Sequence, residues 1–496
     1  MAAGIGEAVL VAYLAVLGLL SVNGIHRAWL CVHWWRREAV TVPAAPAVWP
    51  EVTVQLPVFN ERDVVGRLVR HAGALDYPRD RLEIQVLDDS TDDTTAIAQQ
   101  AVEALCASGV QAVVLHRQDR TGFKAGALDA ATEVAKGEFL AVFDADFLPQ
   151  PDFLKRMMPH FQDPGVGMVQ ARWGHINAGQ NWVTWVQSIL LDGHFVIEHT
   201  ARHAAGRWFN FNGTAGIWRR TAIADAGGWE HDTVTEDLDL SYRAQIRGWR
   251  FIYREDVVVP AELPTDMAAF KVQQHRWAKG SVQTCRKLLR RIWSSDGSLG
   301  HKLEATQHLT ANFSYPVVVV LSLLMPSAVW ARSQEGMIHL LAVDAALFAC
   351  ALLPFLAYYG LAVVGARDAI GRTRLRWLPA ALAVGLGMAI AQSRAVWDGL
   401  NRMGGVFVRT PKSGGQASAS YRPSDPGLVA LELSMAVFLW AATAWTVAAF
   451  YWASVPFLLL FSMGYTLVGV GAVWAHRRAR NAAAAAPPQV SHHSDG

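Results

Sequence analysis

Apolar residues in this chain fall in blocks, and the blocks restrict the fold more than any motif does. A run from Ala8 to about Leu20 continues weakly to Val32, interrupted by Asn23, His26 and Arg27, and the chain turns apolar again beyond Ala311. Between them, from Glu51 to about Ser298, the sequence has the mixed character of a soluble domain. A chain divided in this way folds as a water-facing domain set between membrane helices. Composition agrees: 52% of the residues are hydrophobic and 17% charged, where a soluble domain carries about 25% charged residues. A formal net charge of +2 gives no sign of a nucleic-acid or acidic partner. Cys31, Cys106, Cys285 and Cys350 lie far apart without CxxC spacing, so they read as free thiols in a reducing compartment rather than a zinc site or disulfide framework.

The organisation follows. Residues 1–37 form an anchor; its basic cluster (His26, Arg27, Arg36, Arg37) comes after the apolar run, unlike a signal peptide, so the amino terminus is expected outside. A Pro/Ala-rich linker covers 38–50, the soluble domain 51–300 and a membrane domain 301–476, with spans at about 313–331, 337–364, 428–450 and 454–474. Crossing a core of ~30 Å takes about 20 apolar residues, and the stretch from Trp377 is short for this. The arginines at 367–376, the basic stretch 394–422 and Arg477, Arg478 and Arg480 all reach the cytoplasmic face only if 377–405 does not cross, but lies re-entrant or along the interface. Five spans and a cytoplasmic soluble domain are therefore expected, in a cell membrane of the bacterial inner-membrane type, with six spans as the rival count. The tail 477–496 reads as disordered.

Within the soluble domain short β-rich runs alternate with helical ones, which implies parallel βαβ units and ligands at the carboxyl ends of strands. Acidic groups stand at those ends. Asp88 and Asp89 follow the second strand and can accept from a ribose or base, although a turn capping the next helix would look the same. Asp144 and Asp146 follow a later strand, where two carboxylates can share one hard cation, magnesium or manganese, with a ligand's phosphates. Lys124 lies where a glycine turn opens a helix and suits a diphosphate; a surface lysine is the plain alternative. Glu236 and Asp237 precede a helical run and either cap it or supply a general base, Asp237. Gln273, Arg276 and Trp277 share one side of a helix, fitting a diphosphate and a sugar ring, or a membrane-surface helix.

The order Asp88-Asp89, Asp144-x-Asp146, Thr235-Glu236-Asp237, Gln273-x-x-Arg276-Trp277 resembles the processive family-2 glycosyltransferases. The wording of Gln85-Val-Leu-Asp-Asp-Ser-Thr-Asp, Phe143-Asp-Ala-Asp-Phe, Val169-Gln-Ala-Arg-Trp and Phe211-Asn-Gly-Thr-Ala-Gly216 is similar to the plant cellulose-synthase-like A and C proteins, which make mannan, glucomannan and β-glucan backbones. The resemblance implies a GT-A-like, Rossmann-type α/β domain with a parallel sheet, and an inverting transfer of a hexose from GDP-mannose or UDP-glucose to the end of a β-glycan, with export. It implies that Pro57, Glu61, Asp88, Asp89, Lys124 and Asp144 hold the donor and that Asp144 and Asp146 bind the metal. Asp237, beside Glu236, would be the base; Phe211, Asn212, Gly213, Gln273, Arg276 and Trp277 would line the acceptor and diphosphate. Phe407–Lys412, in a loop at 406–416, resembles those synthases' gating loop. Single transfer to a lipid acceptor, and a nucleotide-sugar sensor without turnover, stay open beside this reading.

Overall fold

The computed structural model describes residues 2–335, 340–368, 371–405 and 425–485. The chain begins with the long helix α1 (Ala2–Trp35) and enters the soluble domain at β1 (Val52–Val58), followed by α2 (Val65–Gly73), β2 (Leu82–Asp88), α3 (Thr94–Ala107), β3 (Gln111–His116), α4 (Phe123–Val134) and β4 (Phe139–Val142). β1, β2 and β4 are buried nearly throughout, which is why they read as continuous apolar runs instead of alternating ones. After α5 (Phe153–Met157) and β5 (Val166–His175) the chain runs through α6 (Trp182–Asp192), a π-helical segment (Gly193–His199) and α7 (Thr200–Ala204) before returning as β6 (Gly216–Arg219). Then come α8 (Arg220–Asp225), α9 (Glu236–Ile246), β7 (Arg250–Ala261) and α10 (Met267–Ser294).

The seven strands form one sheet in the order β3-β2-β1-β4-β6-β5-β7. The expected parallel arrangement holds for β3-β2-β1-β4. β6 departs from it, running antiparallel to both β4 and β5. The long excursion after β5 brings the chain back from the opposite end, and the register Val142↔Gly216 sets residues 209–215 directly beside the turn that leaves β4. This reversal builds the centre of the site.

Beyond α10 the described residues are mostly helical: α11 (Leu299–Thr310), α12 (Ser314–Glu335), α13 (Leu340–Gly365), α14 (Leu378–Gly387), α15 (Ala389–Asn401), α16 (Pro426–Ala448) and α17 (Val455–Ala485). Among the described residues, five helical stretches are long and apolar enough to cross a membrane: Ile5–Trp35, Leu299–Arg332, Ala345–Gly365, Pro426–Ala448 and Trp452–Asn481. The segment from Gly371 to Asn401 is instead two helices meeting at a 43° bend, either a broken span or a re-entrant loop. α1, α12, α15, α16 and α17 share an apolar core that includes Leu10, Leu17, Leu321, Ala389, Leu439 and Phe461. α14 and α17 approach closely at Gly387, where a Cβ would lie 2.1 Å from the Gly464 carbonyl oxygen. α17 continues to Ala485, past the boundary expected at 476, and the gating-like stretch Phe407–Lys412 lies outside the described residues. The four cysteines are free thiols.

α10 joins the two halves. Lys271 donates to both carboxylate oxygens of Glu432 on α16, at 2.7 and 2.8 Å, with both side chains buried. Gln283 is fully buried; its amide donates to the carbonyls of Arg402 and Gly404 (2.6 and 2.9 Å) and its oxygen accepts from Val234 N–H (2.9 Å). One side chain thus fixes both the loop that leads into Glu236 and Asp237 at the start of α9 and the chain that leaves α15.

Candidate active site

The carboxyl ends of β1, β2 and β3 form one wall. Asp88, wholly buried, accepts from Thr95 Oγ1 (2.6 Å), Ser90 N–H (3.0 Å) and His116 Nδ1 (2.8 Å). Burial works against its charge, but these three donors outweigh it and hold the carboxyl below the usual carboxylate range. Its oxygens are committed to the fold, so Asp88 shapes the wall from behind. Asp89, next along, takes a bidentate pair from Arg117, Nε to Oδ1 at 2.8 Å and Nη2 to Oδ2 at 2.7 Å. Glu61 is buried where its carbonyl starts the turn into α2, and Pro57 lies half-buried near the end of β1.

The centre is built from three turns. Lys124 is the second residue of α4, and its ammonium bonds Asp144 Oδ1 and the Gly213 carbonyl, the latter at 2.7 Å. Burial opposes that charge, but Asp144, Glu236 and Asp237 together hold the lysine pKa above its ordinary value. Asp144 N–H donates to Thr214 Oγ1 (2.9 Å), which ties the turn after β4 to the loop before β6. The Asp144 side chain stays 35% exposed, leaving room for a ligand. Asp146, two residues on, is buried, and its Oδ2 accepts Glu262 N–H at 3.2 Å.

Asp237 lies in the first turn of α9, where Leu238 N–H donates to its Oδ1 (2.8 Å). Burial first, then the neighbouring Glu236 carboxylate, push its carboxyl up to about 7 against the pull of Lys124 and Arg276. Gly213 has φ +79°, and a Cβ there would stand 2.9 Å from Asp237 Oδ2. Glycine is needed at this position both for the left-handed backbone and for the close approach of the two loops.

Asp237, Thr235, Asn210, Asn212, Trp173 and Trp277 open onto a cavity of about 470 Å³ that continues between the membrane helices, where Leu17, Val318, Leu321, Phe348 and Phe461 line it. On α10 the lining residues are Phe270, Gln274, Trp277, Ala278 and Ser281. Of the expected trio, Trp277 reaches the cavity, its ring 6.3 Å from that of Trp173. Gln273 does not line it and keeps Oε1 buried. Arg276 acts on the Asp237 carboxyl electrostatically. Phe211 is also placed differently from the expectation: its ring is fully buried against Trp218 and Trp229, because its N–H is bonded to Ser241 Oγ on α9 and the next residue turns toward the cavity. That residue, Asn212, is held by His194 Nε2 (2.8 Å) and His199 Nε2 (2.6 Å) from the π-helical segment. Burial pushes the His194 imidazole down to about 4. The two histidines, Gln274 and Arg117 carried no motif in the sequence; a π-helix, often found at functional sites, aims the first two.

Residues 50–280 match the family model described as "Glycosyltransferase like family 2". The chain carries a family-2 glycosyltransferase domain. Curated relatives of that domain include glucomannan 4-beta-mannosyltransferase 2 of Arabidopsis thaliana, 44% identical over 252 residues, or 49% of this chain and 47% of that protein. Another is glucomannan 4-beta-mannosyltransferase 1 of Oryza sativa subsp. japonica, 42% identical over 254 residues, 50% of this chain and 48% of that protein. The chain spans about half the length of the curated relatives it matches. Both relatives agree with the resemblance to the cellulose-synthase-like A proteins. Among solved structures, a mannosyltransferase from Pyrobaculum calidifontis, in complex with GDP-Man and Mn2+, superposes with a TM-score of 0.50 at 21% identity, covering 81% of this chain and 99% of that one. The glycosyltransferase domain therefore has the GT-A-like fold, with its mixed sheet flanked by long apolar helices.

Proposed function

We propose that the protein is an inverting hexosyltransferase that takes mannose from GDP-mannose and adds it to the end of a growing β-linked glycan, which passes into the cavity between the membrane helices. The observation that carries this reading is that one cavity touches both Asp237 and those helices. The mannosyltransferase names of the relatives, and the ligands of the Pyrobaculum enzyme, support the choice of donor.

In the reaction Asp237 accepts the proton of the acceptor hydroxyl as its oxygen bonds to the anomeric carbon. The bond from that carbon to the diphosphate breaks on the opposite face, and GDP departs. A carboxyl with a pKa near 7 is well matched to this task, being basic enough to take the proton and largely ionised at slightly alkaline pH. Lys124 is positioned to meet the charge that develops on the diphosphate, and Arg276 adds a second cation. Asp144 and Asp146 offer hard oxygen ligands from one turn, and the partly exposed Asp144 leaves positions for phosphate oxygens, so the pair fits a divalent ion. When bound, magnesium or manganese would neutralise the diphosphate. Asn212 and Trp277 would seat the acceptor sugar, with the catalytic domain on the cytoplasmic side and α14–α15 lying re-entrant.

Transfer of a single sugar to a lipid is the second reading, favoured by the apolar walls of the cavity's deep end. The test uses protein in lipid nanodiscs with radiolabelled GDP-mannose or UDP-glucose, plus manganese, magnesium or EDTA, beside Asp237→Asn. Metal-dependent polymer from GDP-mannose, lost in the variant, is the expected result. Label confined to an organic-extractable product would move the assignment to the lipid acceptor. Label from UDP-glucose alone would overturn the donor.

A further inference from the structure

α1 carries a charge where an anchor needs none. A charged side chain within a membrane span is costly, and it persists where it has a partner and a task. Docking of α1 is already served by Leu30 and Trp34, which share an apolar cluster with Val196, Ile197 and Tyr358. Arg27 lies with its guanidinium carbon 4.6 Å from the centroid of the Tyr358 ring and donates through Nη1 to Glu198 Oε1. Glu198 is buried, and its other oxygen faces His194 Nδ1 at 2.8 Å. His194 Nε2 in turn meets the Asn212 amide at 2.8 Å. Asn212 directly precedes Gly213, whose carbonyl accepts from Lys124 and whose Cα faces Asp237. Direct contacts thus run from a membrane helix to a side chain of the cavity beside the base.

A second chain starts from the neighbouring residue. His26 Nε2 lies 2.9 Å from Glu304 Oε2 on α11, and Arg202 Nε donates to Glu304 Oε1 at 2.8 Å. Arg202, itself buried, also stands 3.7 Å from Glu198 Oε2. Two arginines and two glutamates therefore balance one another, and each carboxylate is fixed from two sides. A carboxylate fixed in this way orients the imidazole it faces, and the imidazole orients the amide beyond it. We propose that Arg27, through Glu198 and His194, positions the Asn212 amide for the acceptor sugar, so that α1 is part of the acceptor site. This rests on the seat for the acceptor proposed above and adds what holds it. Arg27 is a positioning residue in this scheme: it acts through Asn212 and leaves the wall formed by β1–β3 untouched.

The test is equilibrium binding of a labelled 4-linked β-mannan oligosaccharide to the full chain in nanodiscs with GDP and Mn2+, with GDP affinity, and KM and kcat for the same oligosaccharide, measured beside it. Arg27→Met and Glu198→Gln should each weaken the oligosaccharide about tenfold, the scale of one charge-assisted hydrogen bond, in binding and in KM alike. GDP affinity should stay unchanged, and kcat should move less than KM. Arg27→Lys keeps a cation on Glu198 and should recover most of the loss. Asn212→Ala should bind the oligosaccharide weakly by itself, and adding Arg27→Met should weaken it no further, since residues acting in series are not additive. Losses that multiply in the double variant would overturn the proposal, because Arg27 would then touch the glycan itself or serve only the fold. Unchanged oligosaccharide binding in Arg27→Met, or an equal loss for GDP, would overturn it too. Should Arg27→Met fail to fold, as absent GDP binding would show, Glu198→Gln and its combination with Asn212→Ala carry the same test. Binding is read without turnover: this pattern without hexose transfer would sink the transferase reading and leave this one standing, whereas transfer to the oligosaccharide without the pattern would do the reverse.

Discussion

At the scale of single residues the protein depends on a carboxylate held close to neutrality. Asp237→Asn should lower transfer on the order of 10³-fold while leaving GDP binding intact, since a positioned base contributes about 10²–10⁴. Because the Asp237 carboxyl sits at about 7 and must be ionised to act, kcat/KM for the wild type should fall as pH drops through that value. Glu236 raises that pKa by its negative charge, so Glu236→Gln should move the acid limb to lower pH. A limb that stays in place would remove Asp237 as the group it reports. Gly213→Ala inserts a methyl group 2.9 Å from Asp237 Oδ2 and demands φ +79° of a residue with a Cβ. Its kcat should fall more than its affinity for GDP, because the strain falls on the base and not on the wall that holds the nucleotide.

Among the elements, α10 does most of the joining. It carries Trp277 to the cavity, holds the loop before α9 through Gln283 and docks on α16 through Lys271 and Glu432. Breaking a buried ion pair on one side strands a charge, which costs about 3–5 kcal/mol, whereas replacing both partners by apolar groups of similar volume is often neutral. Lys271→Met should therefore lower the melting temperature markedly, and Lys271→Met combined with Glu432→Leu should restore most of it. If the double variant melts no higher than the single one, the pair holds the helices in register by its charges and not by its packing.

For the whole molecule the question is where the product goes. Ala351→Trp narrows the cavity on α13, well away from the base. Addition of the first sugar should continue in that variant while long product disappears, as seen by sizing the labelled glycan. Loss of both would mean that the cavity is needed for the fold rather than for passage. Topology can be checked separately with Ser413→Cys, which should resist an impermeant thiol reagent in sealed right-side-out vesicles if α14 and α15 do not cross. Labelling from outside would establish six spans.

The sequence by itself determined the division into a soluble domain between apolar helices, because span length and charge are local properties that survive without tertiary contacts. It also determined the acidic groups at strand ends: Asp89, Asp144 and Asp237 each follow directly from a turn that leaves a strand or opens a helix. Contacts between distant segments were decided by the tertiary structure alone. The reversal of β6 sets Gly213 against Asp237 and Lys124. The π-helical segment turns His194 and His199 onto Asn212, and the rotation of α10 brings Gln274 and not Gln273 to the cavity. Asp88 and Phe211 show the limit from the other side. Each stands in the right motif, yet the fold spends one on internal hydrogen bonds and the other in the aromatic core, since a side chain's partners depend on what packs beside it, which no single stretch of sequence records.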